Sequence, residues 1–239
     1  MRNTSQRSRA KIIILAMVLL LPGFLYIAVN KFGSNEYISL PVYGEKKLSG
    51  EMKRNWGREY PDTIFHTLNA VDFYNYNGEI CSFLKSDTVI SVAHLFYTKD
   101  QAFSRLMLDH MGALADRFKA NEHVRLFSIS VDPQESEQTL QAFLKPYKHI
   151  ASTNWEVVYG ASTDIFAYAR EELLIDAMVN PADSTSYIIG NQLVLLDSKK
   201  RLRGFYDVSL KGEVDRLEDE IKLLMVEEVR NRPLKIEKQ

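Results

Sequence analysis

Apolar and polar positions divide the chain into three regimes. Residues 12–29 (IIILAMVLLLPGFLYIAV) run for 18 positions without a charge. Residues 31–62 follow with no sustained period, rich in Gly, Lys and Glu, although Tyr37 to Tyr43 could pair locally. From residue 63 onward, β-branched runs alternate with stripes at three- and four-residue spacing. Residues 88–97 (TVISVAHLFY) are almost continuously apolar, the pattern of a strand buried on both faces. Phe103, Leu106, Met107, His110, Met111, Leu114 and Phe118 then recur at steps of three and four, which predicts an amphipathic helix over 101–119. Residues 124–131 (VRLFSISV) read as a second buried strand, stopped by Asp132-Pro133. A helix is expected over 135–144 and a strand over 155–159. Ser162-Thr163-Asp164 caps a helix running to about residue 174. Residues 192–196 and 202–206 read as strands joined at Asp197-Ser198-Lys199-Lys200, and 212–229 as a closing helix. Ahead of these, 65–68 and 71–74 are short strand-like pieces, and Asn77-Gly78 predicts a type I′ hairpin turn. This order implies a thioredoxin-like three-layer α/β domain, with a central mixed sheet flanked by helices and an N-terminal β-hairpin.

The uncharged run has its own reading. Eighteen helical residues are about 27 Å long, close to the thickness of a bilayer's hydrocarbon core. Arg2, Arg7, Arg9 and Lys11 precede it, and only Lys31 follows closely. The positive-inside bias then predicts a cytoplasmic N-terminus and a periplasmic or otherwise extracytoplasmic body on a single inner-membrane span. A cleaved signal peptide is the competing reading. The run is longer than a usual signal core, and no small-x-small cleavage site follows it. The expected organisation is a basic N-terminus (1–11), an uncleaved signal-anchor (12–29), a linker (30–62), the α/β domain (63–229) and a tail (230–239).

Charge and cysteine content narrow the chemistry. The +4 of residues 1–11 is balanced by −5 over the remainder, so the body is mildly acidic and carries no nucleic-acid footprint. Cys81 is the only cysteine, which excludes an intramolecular disulfide, a CxxC pair and any site needing two thiolates. There is no GxxxxGK phosphate loop, so nucleotide binding is unsupported. Ser104, Ser128 and Ser130 lack a neighbouring His/Asp arrangement, and His66, His123 and His149 suggest no shared site.

Several short motifs, in order and spacing, carry a resemblance. They are Phe65-His66-Thr67 with Asp72-Phe73, then Leu95-Phe96-Tyr97-Thr98, then Ser130-Val131-Asp132-Pro133. The last is Leu195-Leu196-Asp197 followed by Leu202-Arg203-Gly204-Phe205-Tyr206-Asp207. Over about two-thirds of its length the chain resembles the Sco/SenC family. Those proteins are membrane-anchored, thioredoxin-like and implicated in copper delivery during cytochrome c oxidase assembly. The resemblance implies a copper site of two cysteines in a CPxxCP motif and one distant histidine. Counted from Thr98, the cysteine positions fall on Asp100 and Ser104, and the prolines on Gln101 and Arg105. Counted back from Asp197, the histidine falls on or near Ile189, and no histidine lies in 184–192. The family's acidic residue before the FFT-like strand end is His94 here.

Copper(I) is held by soft thiolate, thioether or imidazole donors. A carboxylate and a hydroxyl are hard donors, and Asp100 at a helix start serves as a cap. The expectation is therefore a non-catalytic binding or assembly module with no cofactor, a membrane anchor and a protein partner, which the resemblance places among respiratory-oxidase assembly components. Copper held by Met107, His110, Met111 and His94 is the alternative. A thiol or carboxylate enzyme built on Cys81 or Asp100 is the third reading.

Overall fold

A computed structural model describes residues 4–32, 39–55, 58–85, 89–147, 150 and 154–231. The chain separates into two compact units, Met1–Ile38 and Ser39–Gln239. The first contains one helix, α1 (Thr4–Phe32), 29 residues long with Pro22 inside. Its side chains at Ile14, Leu15, Val18, Leu19 and Phe24 are exposed. Among the described residues no helix is long and apolar enough to cross a membrane.

The second unit opens with a hairpin of β1 (Lys46–Asn55) and β2 (Arg58–Phe65), a two-stranded sheet of its own. Next come β3 (Val71–Asn75), β4 (Ile80–Phe83), β5 (Ile90–Phe96), α2 (Gln101–Phe118), β6 (Val124–Ser130) and α3 (Glu137–Leu144). They are followed by β7 (Trp155–Tyr159), α4 (Ile165–Glu171), β8 (Ala177–Asn180), β9 (Asp183–Ile189), β10 (Gln192–Leu196), β11 (Leu202–Asp207) and α5 (Lys211–Asn231). Seven strands form the central sheet in the order β11-β10-β5-β6-β7-β3-β4. β5, β6 and β7 pair in parallel and the other neighbours antiparallel.

Side chains alternate across a strand, so β5 serves two cores. Ile90, Val92 and Phe96 pack with Met107, Leu108 and Met111 of α2 and with Leu217, Ile221 and Leu224 of α5. Ala93, Leu95 and Tyr97 pack with Ile165, Tyr168 and Ala169 of α4. All seven residues of β5 are buried, as the unbroken apolar run requires.

Three expectations need correction. The 30–62 segment is not an unstructured linker throughout, because β1 and most of β2 lie within it. Phe65 closes β2 rather than opening a separate piece at 65–68. The Asn77-Gly78 turn is not type I′, since Gly78 has φ +76° while Asn77 is not among the residues with positive φ. The Gly78 amide donates to the Asn75 carbonyl (2.9 Å), and the Asn75 amide to the Glu79 carbonyl (2.8 Å). Asn75 Oδ1 accepts from the Asn77 and Glu79 amides at 3.0 Å each. One left-handed glycine after a tight turn suffices here, giving the bulged hairpin form. The β8–β9 hairpin was not anticipated.

Candidate functional site at the strand-to-helix junction

β5 and β6 end in register, with Phe96 opposite Ser130. The Val131 amide donates to the Phe96 carbonyl at 2.9 Å. Residues 97–100 and 131–135 therefore emerge side by side at one end of the sheet, where α2 begins. Asp100 is the N-cap of α2, its Oδ1 accepting from the Phe103 amide at 3.2 Å. Ser104 is fully buried, and its hydroxyl donates to the Tyr97 carbonyl at 2.8 Å and lies 3.3 Å from the Tyr97 amide. A side chain that ties the first turn of α2 to the last residues of the strand is a brace, and its proton and one lone pair are engaged by the Tyr97 backbone. Ile189 closes β9 and packs, half-buried, against the core cluster that contains Tyr97.

β9 reaches this junction through Tyr187. Its phenol donates to Asp132 Oδ1 at 3.0 Å, and its carbonyl accepts from the Tyr97 phenol at 3.2 Å. The two rings meet edge-on with their centroids 5.1 Å apart. Lys99 Nζ lies 2.8 Å from Asp132 Oδ2. Burial alone would push the Asp132 carboxyl up, but Lys99, the Gln134 amide and the Tyr187 phenol together hold it below the usual range. Glu135 accepts from the Thr98 and Ser130 hydroxyls, each at 3.1 Å. Its carboxyl is pushed up, first by burial, which outweighs those hydrogen bonds. The junction is thus a closed mesh of oxygen donors and acceptors with one lysine. Lys99, Glu135 and Tyr187 were not singled out from sequence. The SVDP-like turn pointed to the Asp132 loop, whereas Tyr187 lies in a polar strand without period.

These residues do not fit copper(I). Asp100 and Ser104 offer hard oxygens already engaged with backbone, and Ile189 offers a hydrocarbon. The alternative set differs in burial and in engagement. Met107 and Met111 are fully buried among apolar side chains, while His110 is partly exposed. His94 is fully buried and internally satisfied. Its Nδ1–H donates to the Leu95 carbonyl (3.1 Å), so in the neutral ring Nε2 accepts from the Ser128 hydroxyl (2.6 Å). Ser128 Oγ in turn accepts from Trp155 Nε1–H at 2.9 Å. Burial drives the His94 pKa down to about 4, against that Leu95 hydrogen bond. Among the described residues no three His, Cys, Asp or Glu side chains cluster as a metal site.

Cys81 sits in β4 on a groove of about 510 Å³, facing Arg125, Phe127 and Glu156. Burial, then Glu156, pushes its thiol up to about 11, the opposite of an activated nucleophile. The groove is remote in sequence and strand position from Asp100, so the two candidates do not form one site.

A second charged cluster is structural. Arg203 is 2% exposed, and its guanidinium meets Asp197 Oδ2 at 3.0 Å and both Glu227 oxygens at 2.8 Å. It also donates to the Leu40 and Pro41 carbonyls at 2.7 and 3.1 Å. The Arg-Gly element of the last motif therefore pins the chain entering the domain to α5.

No family model matches the sequence, and no curated protein matches it significantly. Solved structures do match. A SCO1/SenC family lipoprotein from Bacillus anthracis is 21% identical, with a TM-score of 0.58 over 67% of this chain and 95% of that one. BsSco, described as a member of the Sco family of cytochrome c oxidase assembly proteins, is 21% identical, with a TM-score of 0.56 over 67% and 94%. Arabidopsis thaliana ScoI with copper bound is 18% identical, with a TM-score of 0.52 over 70% and 99%. The chain has the thioredoxin-like α/β fold of these Sco structures.

Proposed function

We propose that this chain is a membrane-attached, Sco-like binding module that works in respiratory-oxidase biogenesis through protein contacts, without copper transfer or thiol redox chemistry. The commitment of Asp100 and Ser104 to bracing α2, with a hydrocarbon at Ile189, carries the reading. The fold and the motif order support the link to oxidase assembly, since one structural neighbour is described by that role. The 18-residue uncharged run supports membrane attachment. Within it Ile14, Leu15, Val18, Leu19 and Phe24 are exposed. The binding face in this reading is the junction itself, where Lys99 stands exposed beside Asp132, Glu135 and Tyr187.

Affinity capture of the intact protein from its own membranes tests this. An oxidase-assembly component is expected to co-purify and to be lost from Lys99→Glu/Tyr187→Ala. Co-purification of the same set by that variant would refute the proposed face, and absence of any respiratory component would refute the pathway.

A further inference from the structure

The β1–β2 ribbon has a feature that neither the fold nor the junction explains. Lys47 pairs with Ile64, Leu48 with Thr63, Met52 with Pro61 and Lys53 with Tyr60. Cross-strand partners share a face, and successive rows alternate. Leu48, Met52 and Pro61 therefore lie on one face, and Ile64 and Tyr60 on the other. Large apolar side chains are exposed on both: Leu48 71%, Met52 60%, Ile64 57% and Tyr60 45%. Basic residues are spread in the same way, with Lys46 and Arg54 on the first face and Lys47 and Lys53 on the second. Residues 46–65 hold five basic and three acidic side chains within an otherwise acidic body. The pairs that quench two of the lysines, Lys47–Glu45 and Lys53–Asp62, are solvent-exposed and so contribute little.

An isolated two-stranded ribbon is marginal in water, and one with apolar side chains on both faces is more so. A protein partner or a second copy would cover one face and leave the other wet. An interfacial lipid layer surrounds a ribbon from both sides, taking the apolar side chains and tyrosine at the headgroup boundary and the lysines at the phosphates. We propose that the β1–β2 hairpin lies in the surface of an anionic bilayer, as a second membrane contact beyond the N-terminal run. This rests on the membrane attachment proposed above. Between Phe32, the last residue of α1, and Leu40, which Arg203 holds to the body, the chain can span at most about 28 Å, so the body that carries the hairpin stays within reach of the membrane.

The test uses the full chain in nanodiscs of phosphatidylcholine with about 30% phosphatidylglycerol, which gives a negative surface, and of phosphatidylcholine alone. An environment-sensitive dye is placed at Met52→Cys, and separately at Lys119→Cys, in a Cys81→Ser background. At position 52 a blue shift and quenching by nitroxide lipids are expected in the anionic discs, with position 119 water-like throughout. Each basic residue near such a surface favours contact about fivefold, so Lys46→Glu/Lys47→Glu/Lys53→Glu is expected to abolish the signal. Leu48→Ser/Ile64→Ser, which spares the charges, is expected to reduce it. Incorporation into discs with a water-like dye at position 52 would overturn the hairpin contact while leaving the anchor intact. Failure to incorporate at all would overturn the attachment, and the hairpin inference with it.

Discussion

Arg203→Met keeps the length and apolar volume of a buried side chain and removes its charge. The loss can be worked from its partners. Asp197 is not left bare, because Arg201 holds Oδ2 through Nε at 2.8 Å and an NH at 2.6 Å. Glu227 is 17% exposed and still accepts from Ser39 Oγ at 3.1 Å. The Leu40 and Pro41 carbonyls lose their guanidinium donor. Removing one partner from a buried ion pair costs 3–5 kcal/mol where the other charge stays uncompensated, so the low end of that range, about 3 kcal/mol, is expected here. In a domain of this size that lowers Tm by roughly 6–12 °C. Urea denaturation and a thermal scan of the body read it directly. Limited proteolysis near residue 40 should become faster, since the segment loses its tie. Arg203→Lys keeps a charge without the fork and is expected to fall between. A loss below about 1 kcal/mol for Arg203→Met, on the scale of an ordinary hydrogen bond, would refute the reading of this cluster as the clasp between residues 40–41 and α5.

His94 has a folded pKa of about 4, below its ordinary 6.5. The unfolded chain therefore binds the extra proton first, and the stability from neutral His94 is complete above pH 6.5 and lost as pH falls toward 4. That amounts to about 3 kcal/mol at most. Urea midpoints from pH 7 to 4 should show it, and His94→Asn should flatten that part of the slope; an unchanged slope would remove His94 as its source. Asp100→Ala should cost about 1 kcal/mol of stability and Asp100→Ser almost none, as for any N-cap. Equal losses would mean that the carboxylate does something other than cap. Cys81, with its thiol pushed up by burial to about 11, should alkylate roughly a hundredfold more slowly than an exposed thiol at pH 8. Alkylation at the rate of an exposed thiol would reopen the thiol reading.

The central layers were legible because their patterns had one cause each. Residues 88–97 are apolar throughout since β5 is buried on both faces, and the α2 stripe marks the face set against the sheet. The two peripheral hairpins were not legible. β1 carries Gly50 and four basic residues, and its apolar side chains are exposed rather than turned to a core, so no period of two emerges. β9 reads DSTSYII, polar for half its length because only Tyr187 and Ile189 touch the core cluster. Asn77-Gly78 carried the right hairpin and the wrong turn, because Asn75 caps the loop with its own side chain. At the junction, the resemblance, counted from Thr98, pointed to Asp100 and Ser104. What they do there depended on the Tyr97 carbonyl and the Phe103 amide, groups that every residue has and no motif marks.

A copper(I) titration of the intact protein against a chromophoric competing chelator, under reducing conditions, bears most directly on whether this Sco-like scaffold has left metal chemistry behind. No stoichiometric binding is expected at sub-micromolar free copper, and Met107→Leu/Met111→Leu should leave the titration unchanged. One tightly held equivalent would contradict the account, and its loss in that variant would place the metal on α2.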